Sequence, residues 1–244
     1  MRRVFFAVFV LILFSGCRTL TNTQNMYIGL IDGAICAADG NAVKFYQYDG
    51  DGWNVLQGLE FTLPEGYKSV FGVLGEGIGV VIGNTVKIYS YGYFDENDIS
   101  NGNEEQYLEF TLPSGHENVF VGHYEELVFI GVVVGNTVKF YHLANYDYLN
   151  EVRDLEFTLP IEHKSVFGVL DKILVAVGNT VKFYQYDNGW NELQEMEFAL
   201  PRGSKSVFGG GYNIVSVVVG NAVKFYQYDG DGWNERQEME FILK

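Results

Sequence analysis

Three loops of the sequence combine tryptophan, aspartate and asparagine in a pattern that could hold a ligand. The loops read DGDGWN at 49–54, DNGWN at 187–191 and DGDGWN at 229–234. A tryptophan face can stack on the apolar side of a sugar ring, while carboxylates and amides hydrogen-bond to its hydroxyls. The loops therefore predict a carbohydrate site. Its candidate ligand-binding residues are Trp53, Trp190, Trp233, Asp49, Asp187, Asp229, Asn54, Asn191 and Asn234.

The same loops also have a purely structural interpretation. Asp-Gly and Asn-Gly sequences form tight turns, and the tryptophan after each turn could seal the edge of a sheet. The DGDG pattern is similar to a calcium loop as well, but an EF-hand needs oxygen ligands at alternate positions and a glutamate at the twelfth. Counted from Asp49, the fifth position is Trp53 and the twelfth, Glu60, falls in a predicted strand. We predict no metal site.

The sequence offers no recognisable catalytic constellation. Its four histidines, at positions 116, 123, 142 and 163, lack metal-ligand spacing, and no Ser/His/Asp arrangement can be identified. Glycosidases need two carboxylates at a controlled separation. The strands that we expect to lie innermost in the fold, such as SVFGVL (165–170), carry no carboxylate. We therefore expect a protein that is not an enzyme, with no catalytic residue and no cofactor.

A strand-like phrase, VKFYQY with close variants, occurs five times in the chain. Its lysines recur at spacings of 43, 52, 43 and 42 residues, and the second spacing is longer because residues 91–106 are inserted there. Self-similarity at such a period is typical of modular repeat architectures. Each copy also carries a glutamate in its last strand, and we expect lysine and glutamate to pair. The lysines are Lys44, Lys87, Lys139, Lys182 and Lys224, and the glutamates are Glu60, Glu109, Glu156, Glu197 and Glu240.

Every unit contains four short runs of β-forming residues. In the fourth copy these runs are SVFGVL (165–170), ILVAV (173–177), TVKFYQY (180–186) and EMEFAL (195–200). A Gly-Asn pair at 178–179 marks a hairpin between the second and third runs, and a proline closes four of the five units. Four antiparallel strands in each unit predict an all-β fold, a five-bladed β-propeller.

We expect the propeller to occupy residues 26–244 as a closed monomeric ring. An open arc would leave two apolar sheet faces in water, so copies five and one must pack against each other. The predicted repeats are 26–71, 72–120, 121–167, 168–208 and 209–244.

The N-terminus has the layout of an export signal. Residues 1–16 combine two arginines, an apolar run and small residues before a cysteine. This favours a bacterial lipoprotein with lipid on Cys17 and a linker over residues 17–25, and an ordinary secretory signal is the alternative. Arg18 stands where an aspartate would retain some lipoproteins at the inner membrane, so the expected location is the cell envelope, at the outer membrane.

Charge limits the possible partners. The formal net charge is −15, and such an acidic surface repels phosphate backbones and anionic headgroups. We therefore expect no nucleic-acid partner, and membrane contact through the lipid anchor only. Acids also follow the predicted inner strands, on the same face as the tryptophan loops. These residues are Asp32, Glu76, Glu125, Glu126 and Asp171, with Asn213 in the fifth copy.

In layout the chain resembles the tachylectin-type five-bladed lectins. The shared order is an aromatic inner strand, a short strand, a Lys-aromatic strand (VKFYQY), a tryptophan loop (DGDGW) and a final strand, repeated five times. The resemblance implies binding of N-acetylated sugars, although copies two and three lack the tryptophan. The alternative hypothesis is a protein-interaction scaffold of the envelope that uses the acidic face or the 91–106 insertion.

Overall fold

The computed structural model describes residues 28–31, 34–39, 41–73, 77–90, 105–124, 127–144, 148–169, 171–209 and 213–243. The predicted signal peptide, Cys17, the linker and most of the 91–106 insertion lie outside the described residues. The same holds for Asp32, Glu76, Glu125 and Glu126.

Five antiparallel sheets form the fold, and each is built from consecutive strands in chain order. Blade 1 contains β1 (Ile28–Ile31), β2 (Ala34–Asp39), β3 (Ala42–Tyr48) and β4 (Trp53–Thr62). Blade 2 contains β5 (Tyr67–Val73), β6 (Gly77–Ile82), β7 (Thr85–Ser90) and β8 (Glu105–Thr111). Blade 3 contains β9 (His116–Tyr124), β10 (Leu127–Val134), β11 (Thr137–Ala144), β12 (Tyr148–Glu151), the 3₁₀ helix η1 (Arg153–Leu155) and β13 (Phe157–Thr158).

The last two blades repeat the pattern of blade 3. Blade 4 contains β14 (His163–Val169), β15 (Lys172–Val177), β16 (Thr180–Tyr186), β17 (Trp190–Glu192), η2 (Gln194–Met196) and β18 (Phe198–Ala199). Blade 5 contains β19 (Ser204–Gly209), β20 (Ile214–Val219), β21 (Ala222–Tyr228), β22 (Trp233–Glu235), η3 (Gln237–Met239) and β23 (Phe241–Ile242). The prediction of an all-β, five-bladed β-propeller is confirmed.

The limits of the sheets differ from the predicted repeat limits. Residues 71, 120, 167 and 208 lie inside β5, β9, β14 and β19 rather than between blades. The chain instead passes from one sheet to the next at a tight turn after each proline, where Tyr67 N, for example, donates to Pro64 O at 3.3 Å. A proline has no N–H for the ladder, so it ends the sheet at the turn and leaves the next inner strand intact.

The fourth strand also departs from the prediction, because it begins at the tryptophan loop rather than at residue 195. In blade 4, Tyr184 pairs with Glu192 and Val181 pairs with Phe198. A stretch of three residues along β16 is thus opposite a stretch of six residues in the fourth strand of the blade. The surplus residues leave the ladder and coil into η2, and Leu193 N still donates to Phe183 O at 2.8 Å. Blades 3 and 5 accommodate the surplus in the same way, with η1 and η3.

The apolar core lies between the blades. Each cluster of buried side chains joins residues from neighbouring sheets, as where Phe45 and Phe61 of blade 1 meet Val70 and Ile78 of blade 2. The inner strands approach one another closely: a Cβ on Gly168 would stand 2.3 Å from the carbonyl oxygen of Val121 in the preceding blade. Burial against the next blade is what stabilises a four-stranded sheet that could not stand alone.

One aromatic contact recurs at all five blade interfaces. A phenylalanine of the fourth strand packs on a tyrosine of the third strand in the next blade, with ring centroids 4.8 to 6.0 Å apart. The pairs are Phe61–Tyr89, Phe110–Tyr141, Phe157–Tyr184, Phe198–Tyr226 and Phe241–Tyr46. The fifth pair joins blade 5 to blade 1, so contacts between these two blades close the ring.

The repeated lysines of the third strands in blades 2 to 5 pair with glutamates as expected, but mostly with different ones. Lys87 meets the predicted Glu109 at 3.1 Å. The lysines of blades 3, 4 and 5 instead pair most closely with the glutamate that ends the segment before the 3₁₀ helix. These pairs are Lys139–Glu151 at 2.8 Å, Lys182–Glu192 at 2.7 Å and Lys224–Glu235 at 2.6 Å. Because Glu192 lies opposite Tyr184, it is a diagonal neighbour of Lys182 on one face, whereas Glu197 follows the helix.

Candidate functional site

The nine predicted ligand residues lie in the loops between the third and fourth strands of blades 4, 5 and 1, which are adjacent in the ring. Their aspartates and asparagines are exposed, and their tryptophans are half-buried. Because the strands are antiparallel, these loops share a face with the turns between first and second strands. We call this surface the loop face.

Each DGDGWN loop is held together by its own aspartate. Asp49 accepts hydrogen bonds from Asp51 N at 2.8 Å and Gly52 N at 3.0 Å through Oδ1, and from Asn54 Nδ2 at 2.8 Å through Oδ2. These donors, led by the backbone amide of Asp51, lower the pKa of Asp49 below its usual range. The aspartate and asparagine proposed as sugar ligands thus already bond to the loop.

The blade 5 loop repeats this arrangement with the same residues. Asp229 accepts from Asp231 N at 3.0 Å, from Gly232 N at 3.1 Å and from Asn234 Nδ2 at 2.8 Å. The backbone amide of Asp231 is the main cause of a lowered pKa of Asp229. Two loops at opposite ends of the sequence are therefore built alike.

The loop of blade 4 reaches a similar result with one residue fewer. Asn188 adopts a left-handed conformation with φ 53°, and Gly189 has φ 142°. Asn191 Nδ2 donates to Gly189 O at 2.9 Å and to Asp187 O at 3.3 Å. Here too the predicted ligand amide stabilises its own turn.

The three tryptophans each donate a hydrogen bond to the preceding blade. Every indole Nε1 reaches the carbonyl oxygen of the last residue of a 3₁₀ helix. The pairs are Trp190 with Leu155 at 2.9 Å, Trp233 with Met196 at 3.0 Å and Trp53 with Met239 at 2.8 Å. The third pair spans the junction between blade 5 and blade 1, which we call the seam.

Each tryptophan ring packs against several aromatic side chains of the protein. Trp53 stacks on Phe225 of blade 5 at 5.7 Å and 25°, presents an edge contact to Phe241 at 5.7 Å, and lies 5.3 Å from Tyr48 of its own blade. Trp190 and Trp233 stack in the same way on Phe140 and Phe183. The stacked face of each indole is therefore engaged by the protein, in the manner of the structural interpretation of these loops.

A small cavity opens on the loop face between blades 3 and 4. It measures about 20 Å³, roughly the space of one water molecule. Its lining includes Phe129, Tyr186 and Trp190, together with Asp171 and Lys172. Asp171 is the one described member of the predicted acidic turns, and it pairs with Lys172 at 2.8 Å and accepts from Gln185.

Sequence reasoning missed the acceptors of the indole groups, the carbonyls of Leu155, Met196 and Met239. These residues share a detectable signal, because each precedes a Glu-Phe pair in copies three to five. Within the described ranges no three His, Cys, Asp or Glu side chains gather to hold a metal ion. No helix among the described residues is long and apolar enough to cross a membrane.

Comparison with known proteins assigns the chain to no family. No protein-family model matches the chain, and no curated protein is significantly similar to it. Among solved structures, Hsv2 of Kluyveromyces lactis aligns at 10% identity and TM-score 0.46 over 86% of this chain and 60% of its own. The WD40 domain of SCAP from fission yeast gives 12% identity and TM-score 0.45 over 86% of this chain and 53% of that one.

A functionally unknown protein from Desulfotomaculum acetoxidans is similar over more of its length. It aligns at 12% identity and TM-score 0.44, covering 98% of this chain and 79% of that chain. The chain spans about three fifths of the Kluyveromyces lactis protein. The propeller fold is compatible with ligand binding and with a role as an interaction scaffold.

Proposed function

We propose that this protein is a non-enzymatic lipoprotein of the bacterial envelope whose propeller serves as a protein-interaction scaffold. The observation that carries the proposal is a single turn that departs from its three equivalents. In this turn, after blade 3, Ile161 is 89% exposed. The tryptophan loops also favour a scaffold over a sugar site, because one face of each indole stacks on a phenylalanine of the neighbouring blade and each asparagine amide donates within its own loop.

The turn after blade 3 combines an exposed apolar side chain with backbone strain. Four turns share a hydrogen bond from the residue after the turn to the proline carbonyl, as from His163 N to Pro160 O at 3.4 Å. Three of them have glycine at the left-handed position, with φ 77° to 84°. In the fourth, Glu162 adopts φ 66°. A left-handed conformation costs a non-glycine residue about 1 kcal/mol, and strain of this kind is typical of functional positions.

The side chain before the strained position also differs between the turns. Where blade 3 ends in Ile161, the equivalent turns present Glu65, Ser114 and Arg202. An isoleucine that is almost fully exposed adds nothing to the core of the propeller. Its removal from water on binding a protein surface would be favourable, and this is the role we assign to it.

A matched pair of substitutions tests the contact. Ile161→Ser introduces the residue that the turn after blade 2 carries naturally, and Glu65→Ser makes the corresponding change after blade 1. Envelope proteins captured by the purified chain are compared for the wild type and both variants after cross-linking. We expect one species that is lost with Ile161→Ser and kept with Glu65→Ser. Equal capture by all three proteins would refute the contact at this turn.

Anchoring through Cys17 is tested separately. The Cys17→Ser chain should fail to incorporate labelled palmitate and should leave the membrane fraction, while the wild type partitions with outer-membrane markers. Release of both proteins into the soluble fraction would contradict the anchor and favour an ordinary secretory signal.

Carbohydrate binding is the second candidate, and one observation favours it. The tips of the identical loops of blades 1 and 5 present exposed carboxylates, Asp51 and Asp231, on neighbouring blades. Carboxylates at such positions can accept hydrogen bonds from sugar hydroxyls. A glycan array probed with the wild type and with Asp51→Ala, Asp231→Ala tests this site without touching the tryptophans. A glycan bound by the wild type and lost in the double variant would establish it, and no glycan bound would exclude it.

A further inference from the structure

The seam between blade 5 and blade 1 reproduces the interfaces between blades that follow each other in sequence. Across the seam, the indole of Trp53 donates to Met239 O at 2.8 Å and its ring stacks on Phe225 at 5.7 Å. Across the interface of blades 4 and 5, Trp233 donates to Met196 O at 3.0 Å and stacks on Phe183 at 5.3 Å. Blade 1 therefore docks on blade 5 by the same contacts that dock blade 5 on blade 4.

The sequence reinforces this equivalence. Residues 40–54 and 220–234 are identical over their full length, GNAVKFYQYDGDGWN. They comprise the third strand, the tryptophan loop and the start of the fourth strand in blades 1 and 5. The surface that blade 1 offers to its neighbour is thus a copy of one that the chain uses internally.

Blade 1 is also a self-contained sheet with a short tether. All four of its strands come from residues 28–62, and within the described part of the chain no other blade contributes a strand to it. Residues 63–66, which include Pro64, connect it to blade 2. Short hinge connections of this kind favour domain exchange between copies. Among the residues that the structure describes, no strand crosses the seam to hold blade 1 in place.

We propose that blade 1 is exchangeable, and that blades 2 to 5 of one copy accept blade 1 of a second copy. In the resulting dimer, residues 63–66 run from one ring to the other, and each ring keeps five blades. The contacts between blade 1 and its two neighbouring blades are remade, including the pair of Phe241 and Tyr46 at the seam. Only the turn at the tether is lost, so the two forms are close in stability. The protein concentration then sets the proportions of monomer and dimer.

Complementation between two damaged chains tests the exchange. One full-length chain carries Trp53→Ala, which damages blade 1, and the other carries Phe241→Ala, which damages the blade 5 side of the same contact. With separate affinity tags, the two are unfolded and refolded together in detergent. Exchange places the intact blade 1 of the second chain on the intact blades 2 to 5 of the first, so that one ring of the dimer is fully wild type. We expect a two-tag dimer with a transition at the wild-type melting temperature, absent when either variant is refolded alone.

The matched control makes the same substitutions where exchange cannot repair them. Trp190→Ala and Phe157→Ala damage the equivalent contact between blades 3 and 4, and both residues stay within blades 2 to 5. This pair should give no wild-type transition after mixing. Rescue in both pairs, or in neither, overturns the proposal.

A second measurement keeps the proposal testable if the variants fail to fold. Two differently tagged wild-type chains are refolded together over a hundredfold range of concentration. A two-tag dimer whose share rises with concentration, and whose tryptophan fluorescence matches that of the monomer, is the expected result. Only monomer at every concentration would overturn the exchange.

Discussion

Replacing Trp53 with alanine separates the two interpretations of the tryptophan loops. The change removes the hydrogen bond to Met239 O and the stack on Phe225 across the seam. Loss of a packed tryptophan costs about 3 to 5 kcal/mol. For a chain of this size each kcal/mol lowers the melting temperature by about 2 to 4 °C. We therefore expect the Trp53→Ala chain to melt roughly 10 °C below the wild type.

Two further variants show where that loss arises. Trp53→Phe keeps an aromatic ring but leaves the carbonyl of Met239 without its donor, which costs about 1 to 3 kcal/mol. Asp51→Ala changes the exposed tip of the same loop and should alter stability by no more than about 0.5 kcal/mol.

Stability is measured by urea unfolding followed through circular dichroism, which reports on the sheets and not on the substituted ring. If Trp53→Ala costs less than about 1 kcal/mol, the indole does not hold the seam. In that case the ring would be free to serve a ligand, and the structural role argued for it here would be wrong.

Three other predictions follow from single positions. Gly168→Ala should destabilise the chain by roughly 1 to 3 kcal/mol, because its Cβ would stand 2.3 Å from Val121 O. The control Gly52→Ala should be neutral, because a Cβ there would have nothing within 4 Å. Equal urea midpoints for the two variants would contradict this prediction. Glu162→Gly should raise stability by up to about 1 kcal/mol by relieving the left-handed conformation, and a fall would refute the strain. Burial, aided by a nearby carboxylate, raises the pKa of Tyr184 to about 12. Its contribution to stability is full below pH 10 and should be lost as the pH rises through 12, a loss that the Phe variant should lack.

Most of the fold can be predicted from the sequence because repetition multiplies a weak signal. One run such as TVKFYQY fits several kinds of sheet, but five copies at nearly constant spacing, each with a Gly-Asn hairpin, leave few architectures. The blade limits were harder to predict, since inner strands and proline turns alternate regularly around the ring. A repeat has no unique starting point, and only the strand pairing shows where one sheet ends.

The sequence locates the three tryptophan loops, but it does not reveal the contacts that their side chains make. Composition identifies Trp53 and Asp49 as residues that can bind a sugar. It does not reveal that the carboxylate of Asp49 accepts the amides of its own loop, or that the indole reaches another blade. The first fact depends on the conformation of the turn. The second depends on a contact between residues that are far apart in sequence.

The role of the tryptophan is divided between consecutive blades, and this is why no single repeat reveals it. Among the described residues, 3₁₀ helices occur in blades 3, 4 and 5, and each of these blades is followed around the ring by one with a tryptophan loop. The last carbonyls of a helix lack partners within it, and the indole of the next blade supplies the donor to Leu155, Met196 or Met239.

Blade 1 is not followed around the ring by a blade with a tryptophan loop, and its fourth strand forms no 3₁₀ helix. The residues equivalent to η2 are Gln57, Gly58 and Leu59, which lie within strand β4 at a break in its register with β3. Blade 2, which follows, has no tryptophan in its sequence, so no indole is present to meet a helix-end carbonyl, and Gly58 disfavours helix as well. The helix in one blade and the tryptophan in the next thus form one interaction. A substitution in either half should weaken the interface between the two blades, whichever blade carries it.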